Sequence, residues 1–182
     1  NADGTTQGSE FLVNTETTYY QERPSITTLN DGDFVITWWS NCPPLYSLGG
    51  SGSGTTGIYA QMYNADGTTQ GSEFLVNIET INAGYDESNN NIYTYVDEQD
   101  ITALNDGGFV VTWRGSATYS DMNIYVQMYN AEGGIVKDEF LISTSTDYIR
   151  NHPSSTALND GGFVITWNSQ GQDGDGNGVY AQ

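Results

Sequence analysis

The sequence predicts an all-β chain of three tandem repeats, each a four-stranded antiparallel sheet. Three observations predict it. First, blocks of sequence recur in a fixed order. NADGTTQGSEFLVN stands at both 1–14 and 64–77, with a weaker copy, NAEGGIVKDEFLIS, at 130–143. A second series is TTLNDGDFVITW (27–38), TALNDGGFVVTW (102–113) and TALNDGGFVITW (156–167), and a third is GIYAQMYN (57–64), NIYVQMYN (123–130) and GVYAQ (178–182). Second, the blocks alternate in polarity: Phe34, Ile36 and Trp38 point one way, Val35 and Thr37 the other. Third, Asn-Asp-Gly at 30–32 and Asn-Ala-Asp-Gly at 64–67 mark tight hairpins, because glycine supplies the positive φ such turns need. No helical period appears anywhere.

The elements follow in order. Strand a lies around 25–29, b at 33–39, c at 57–63 and d at 72–77, and the pattern repeats. The repeats run approximately over 1–63, 64–129 and 130–182 of a single domain. Tandem four-stranded antiparallel units predict β-propeller-like blades, with a β-prism or β-trefoil-like threefold domain as the alternative. Trp38, Trp113 and Trp167 share one position in strand b and are expected to pack between blades. Strand d of 10–14 has no strand c before it, and the last strand c, 178–182, has no strand d after it. These complementary ends predict self-association through end strands, either as a homodimer forming a six-bladed ring or as part of a longer array. Three blades alone fall short of the usual 4–8. The start at Asn1, without methionine or signal peptide, reads as a processed product or an excised fragment.

Composition excludes several functions. Of 182 residues, 23 are acidic and 4 basic, a formal charge of -19. Such a chain lacks the Lys and Arg that neutralise nucleic-acid phosphates or dock on anionic membranes. No apolar run approaches the roughly 18 residues of a spanning helix, so no membrane insertion is expected. One cysteine, Cys42, and one histidine, His152, rule out a disulfide framework and a multi-histidine metal site.

Strand order separates two sets of loops. The a–b and c–d turns are short and nearly invariant, and their aspartates (Asp31, Asp66, Asp106, Asp160) read as turn chemistry. The d–a loops (15–24, 78–100, 144–153) and b–c loops (40–56, 115–122, 168–177) vary, and specificity is expected on their face.

On that face Asp173, Asp175 and Asn177 alternate before Gly178, as in the first half of a calcium loop. A solvated polar turn is the other reading. The loop 78–100 carries Glu79, Asp86, Glu87, Asp97, Glu98 and Asp100, with Tyr85, Tyr93 and Tyr95. It reads as an acidic cation site, as a tyrosine-lined binding surface or as a solvated acidic insertion. Trp39, with Arg114 and Asn168 at its equivalent positions, pairs with Tyr46 as a surface for stacking on a sugar ring. His152 has no recognisable serine partner, and no catalytic set stands out, so the chain is expected not to be an enzyme.

The composite LNDGGFVVTW, NIYVQMYNAEG and EFLIS resembles the tandem β-propeller-type repeats of large bacterial secreted proteins, often found beside hemolysin-type calcium-binding repeats and adhesin modules. The matching residues are scaffold residues. The resemblance implies an extracellular or bacterial cell-surface location, calcium-rich surroundings and an adhesive or structural role. The expectation is therefore a non-enzymatic extracellular repeat module for adhesion or assembly, with calcium as a stabilising cofactor and a glycan or surface protein as partner. The alternatives are a propeller-type lectin and a subunit that closes or polymerises through its end strands.

Overall fold

The computed structural model describes residues 3–6, 8–18, 20–41, 57–77, 95–116, 122–144 and 147–182. Its strands are β1 (Gln21–Thr28), β2 (Phe34–Ser40), β3 (Gly57–Tyr63), β4 (Thr69–Leu75), β5 (Tyr95–Ala103), β6 (Phe109–Ser116), β7 (Asn123–Tyr129), β8 (Ile135–Leu141), β9 (Arg150–Ala157), β10 (Phe163–Gln170) and β11 (Asn177–Ala181). They form three antiparallel up-and-down sheets: β1-β2-β3-β4, β5-β6-β7-β8 and β9-β10-β11. The first strands of the sheets meet, with β5 packed on both β1 and β9. These are propeller-like blades stacked in chain order, as the repeats predict.

The turns explain why the hairpins form. In the first, Leu29 N–H donates to the Asp33 carbonyl (2.7 Å) and Gly32 N–H to that of Leu29 (3.1 Å). That is a three-residue loop in which only Gly32 takes a positive φ, 93°. The Asp31 carboxylate accepts from Asp33 N–H, and Asp66, Asp106 and Asp160 accept from the residue two further on. The turn aspartates are turn chemistry.

Two hydrophobic seams join the blades. Val35, Ile58, Ala60 and Met62 of the first blade pack on Phe109, Val111 and Trp113 of the second. The opposite face of the second blade, Val110, Ile124 and Val126, packs on Ile165 and Trp167 of the third. Alternation along each strand thus feeds both neighbours; Trp113 and Trp167 lie in the seams, stacked on Tyr125 and Tyr180, whereas Trp38 belongs to neither seam and stacks on Tyr59 of its own blade.

Two expectations change. Residues 10–14 form no strand; this segment lies along the first blade, where Phe11 meets the Tyr63 ring at 5.5 Å and Thr15 N–H donates to Glu73 Oε2 (2.8 Å). A strand exists only where an edge hydrogen-bonds to it, and no strand of the first sheet pairs with these residues. The variable loop predicted at 78–100 also ends earlier, since Tyr95–Ala103 is β5. Its run of acids hides the strand pattern, because the carboxylates are met by groups from other strands: Asp97 by Arg114 and Arg23, Glu98 by the His152 N–H and Asp100 by Ser155.

Candidate functional site at the inner strands

The three inner strands share an irregularity. Each breaks register once: between Glu22 and Ser25 in β1, between Asp97 and Asp100 in β5, and between Asn151 and Ser154 in β9. At each bulge a non-glycine residue takes a left-handed conformation: Arg23 (φ 55°), Glu98 (52°) and His152 (56°). Side chains with a Cβ rarely adopt that region, and such strain persists only where surrounding contacts enforce it. Bulges re-aim side chains next to functional sites. Here they present a guanidinium, a carboxylate and an imidazole from three adjacent blades. The register opposite them, Glu22 to Trp39, Asp97 to Arg114 and Asn151 to Asn168, places the bulges at the variable-loop end of the strands.

Asp97 anchors the group. Its buried carboxylate accepts from Arg114 Nε (2.7 Å) and Nη2 (2.8 Å), from Arg23 Nη1 (3.1 Å) and from the Tyr95 hydroxyl (3.0 Å). Two parallel bonds from one guanidinium fix orientation as well as charge. Arg114 also donates to Asn151 Oδ1 of the third blade, so this network ties all three blades together. Burial costs the Arg114 guanidinium hydration, but its hydrogen bonds to Asp97 and the nearby Asp97 and Glu98 charges outweigh that and hold its pKa above the ordinary value. Burial, then the Asp97 charge and hydrogen bond, push the Tyr95 phenol up.

Glu98 is less committed. Its Oε2 accepts from His152 N–H (2.6 Å), while Oε1 lies 3.8 Å from both Arg114 Nη1 and His152 Nε2. Its side chain keeps 20% of its exposure, and those of Arg23 and His152 are open to solvent. Asp100 accepts from the backbone and hydroxyl of Ser155 (2.7 and 2.9 Å), a further link between the second and third blades. This arrangement offers a ligand both donors and acceptors at a rigid, strained mouth.

Two residues expected to bind ligand meet here. Trp39 Nε1 donates to the Val96 carbonyl (2.6 Å), which carries the half-buried indole to the junction of the first two blades. Tyr95, next to Val96 in sequence, lies under the Arg114 guanidinium (5.5 Å to the ring centroid), with its hydroxyl bound to Asp97. Tyr46, Tyr85 and Tyr93 lie outside the described residues.

Asp173, Asp175 and Asn177 stand elsewhere, in the exposed β10–β11 hairpin. That turn is closed by its own backbone, Gly171 N–H donating to the Gly176 carbonyl (2.6 Å), and Asn177 pairs with Gln170. Among the described residues no three or more His, Cys, Asp or Glu side chains gather as metal ligands do.

In the sequence Arg23 does not stand out, Glu98 is one acid among several in the 78–100 loop, and His152 has no visible partner. Arg23 and His152 both precede proline (Arg23-Pro24, His152-Pro153) at the same point of the repeat, and Glu98 is their counterpart. That shared position was the available signal.

The geometry defines a β-propeller-like repeat chain with a polar site at the mouth of its inner strands. No protein-family model matches the chain, and comparison with curated proteins also finds no match. Among solved structures it is similar to an endo-arabinase from Bacteroides thetaiotaomicron, at 17% identity and a TM-score of 0.54. The similarity covers 91% of this chain but 57% of that one, so the chain spans little more than half the enzyme's length. A likeness this distant bears on the fold.

It nonetheless corrects one expectation. The chain was expected not to be an enzyme because no catalytic set is visible in the sequence, yet a protein of similar fold is an endo-arabinase. The ground for that expectation fails physically too. Blade stacking brings the carboxylate of Glu98 in β5 against His152 in β9, a grouping that linear spacing conceals.

Proposed function

We propose that this chain is a carbohydrate-directed β-propeller repeat whose ligand binds at the inner-strand mouth. The observation that carries this reading is that strained bulges at the same point of three adjacent blades present Arg23, Glu98 and His152, with Glu98 against His152 and Arg23 on the neighbouring Asp97. Sugar hydroxyls both donate and accept, so a carboxylate flanked by a guanidinium and an imidazole suits them. The half-buried faces of Trp39 and Tyr95 at the adjoining junction add the apolar surface on which a sugar ring stacks. The fold likeness to an endo-arabinase supports a saccharide over other polyhydroxylated ligands.

The same likeness favours a second reading, glycoside cleavage, which uses two carboxylates across the scissile bond. Glu98 and, on the same strand, Asp100, which is held by Ser155, are the carboxylates nearest to hand for it. Asp97 is already engaged by two arginines and a tyrosine.

Calorimetric titration with arabino-oligosaccharides and a wider glycan panel, beside an assay for reducing ends released from arabinan, tests both. Binding that weakens at least tenfold in Glu98→Gln supports the first reading. Reducing-end release lost in the same variant supports the second. An absence of both binding and release across the panel overturns the site.

A further inference from the structure

The two blade junctions differ at the mouth. At the first, Trp39 of β2 meets the Val96 carbonyl of β5, and Val96 is fully buried. At the second, the same two positions hold Arg114 of β6 and Arg150 of β9. The register shows the equivalence: Val96 lies opposite Gly115, and Arg150 opposite Ser169. An apolar pair has given way to two guanidiniums.

Arg114 is matched by Asp97, and Arg150 has no such match. Arg150 is 1% exposed. Its Nη1 donates to Asn123 Oδ1 (2.8 Å) and to the Tyr148 carbonyl (2.9 Å), both neutral, and its Nε has no acceptor. Among the described residues no carboxylate forms an ion pair with it. Burial pushes its pKa down, the nearby Asp147 and Tyr148 offsetting part of that, and a guanidinium stays charged all the same. A buried cation without a counter-charge is costly. The fold does not require it here, since valine closes the same place one repeat earlier. Its seat is nonetheless specific. Asn123, whose Oδ1 also accepts from Ser143 Oγ (3.4 Å), stands where the first blade has Gly57.

This charge belongs to the mouth. Arg150 is two residues from His152, about 7 Å along the strand. Of the four Lys and Arg residues in a chain of formal charge -19, the three arginines stand at this end of their strands, beside the single histidine. A surface of that charge repels anions, so an anionic ligand is drawn to the one place where cations gather.

Building on the saccharide reading of the mouth, we infer that its ligand is an acidic saccharide and that Arg150 selects it. The His152 side chain, 71% exposed, offers the nearest contact for a uronate carboxylate, and the exposed Arg23 at the neighbouring bulge offers another. Arg150 touches neither sugar nor carboxylate. It is a specificity-determining residue that acts through space, from a buried seam where salt screens its charge little.

Calorimetric titration of the 182-residue chain compares oligogalacturonate with the same oligosaccharide after its carboxyl groups are reduced to alcohols. The variant is the double substitution Arg150→Val with Asn123→Gly, which restores the residues of the first junction; Arg150→Gln serves if the double variant does not fold. Wild type should prefer the acidic ligand by about tenfold, and the variant by no more than about twofold. The thermal midpoint of the double variant should be no lower than that of wild type, because the stranded charge is gone. Equal affinity for the two ligands, or binding of the neutral one alone, overturns the inference and leaves the saccharide reading standing. A preference that survives in a folded variant overturns the role of Arg150. Binding of neither ligand overturns the inference, and the saccharide reading falls with it only if the wider glycan panel is also silent.

Discussion

Ile124 and Val179 hold the same place in successive repeats and meet opposite fates. Ile124 is sealed between the second and third blades, and Val179 faces water. Neither the residue type nor its strand accounts for the difference; the neighbouring blade does. A single blade therefore leaves an apolar face uncovered, and the chain gains stability by stacking. The covered seams hold the fold together, while the open faces and the polar mouth are the parts free to engage something else.

The largest effect should come from cutting into a covered seam. Trp113 is fully buried there, and Trp113→Ala should cost about 3–5 kcal/mol, read as a lower urea midpoint with an unchanged slope. Next is the rim of the same seam. Asp97→Ala leaves the largely buried Arg114 guanidinium without its main partner and should cost about 3 kcal/mol. Converting Asp97 and Arg114 together to Leu and Met should cost less than Asp97→Ala alone, because no charge is then stranded.

The paired comparison is sharper, though smaller. Ile124→Ala should cost about 2–4 kcal/mol, and Val179→Ala under about 0.5 kcal/mol. Equal costs in thermal or urea unfolding would break the distinction between covered and open faces.

The smallest effect concerns alkali. Burial, then the Glu139 charge, pushes the Tyr129 phenol far above its ordinary pKa. The folded chain holds that proton more tightly than the unfolded chain. Stability should therefore be flat below about pH 10 and fall above it. Tyr129→Phe should shallow that fall in denaturant titrations between pH 8 and 11.

Much of the fold was legible because repetition repeats the physics. Glycine at each hairpin and alternation in FVITW survive as turns and seams, and two of the three strand-b tryptophans, Trp113 and Trp167, lie between blades. The site was less legible. Asp97, Glu98 and Asp100 read as an acidic loop, because a buried carboxylate looks no different in sequence from a solvated one until Arg114 and Arg23 are known to reach it. The three bulges combine residues from 23, 98 and 152, and only blade stacking brings them together. Segment 10–14 carried a strand's sequence but formed no strand, since a strand is a property of a pair of edges.

The contrast between covered and open strands has a direct test. Amide hydrogen exchange read by NMR compares Ile58, whose N–H donates to Asn77 Oδ1, with Val179, whose N–H points away from β10. The account predicts slow exchange at Ile58 and rapid exchange at Val179. Equal protection of the two amides would contradict it.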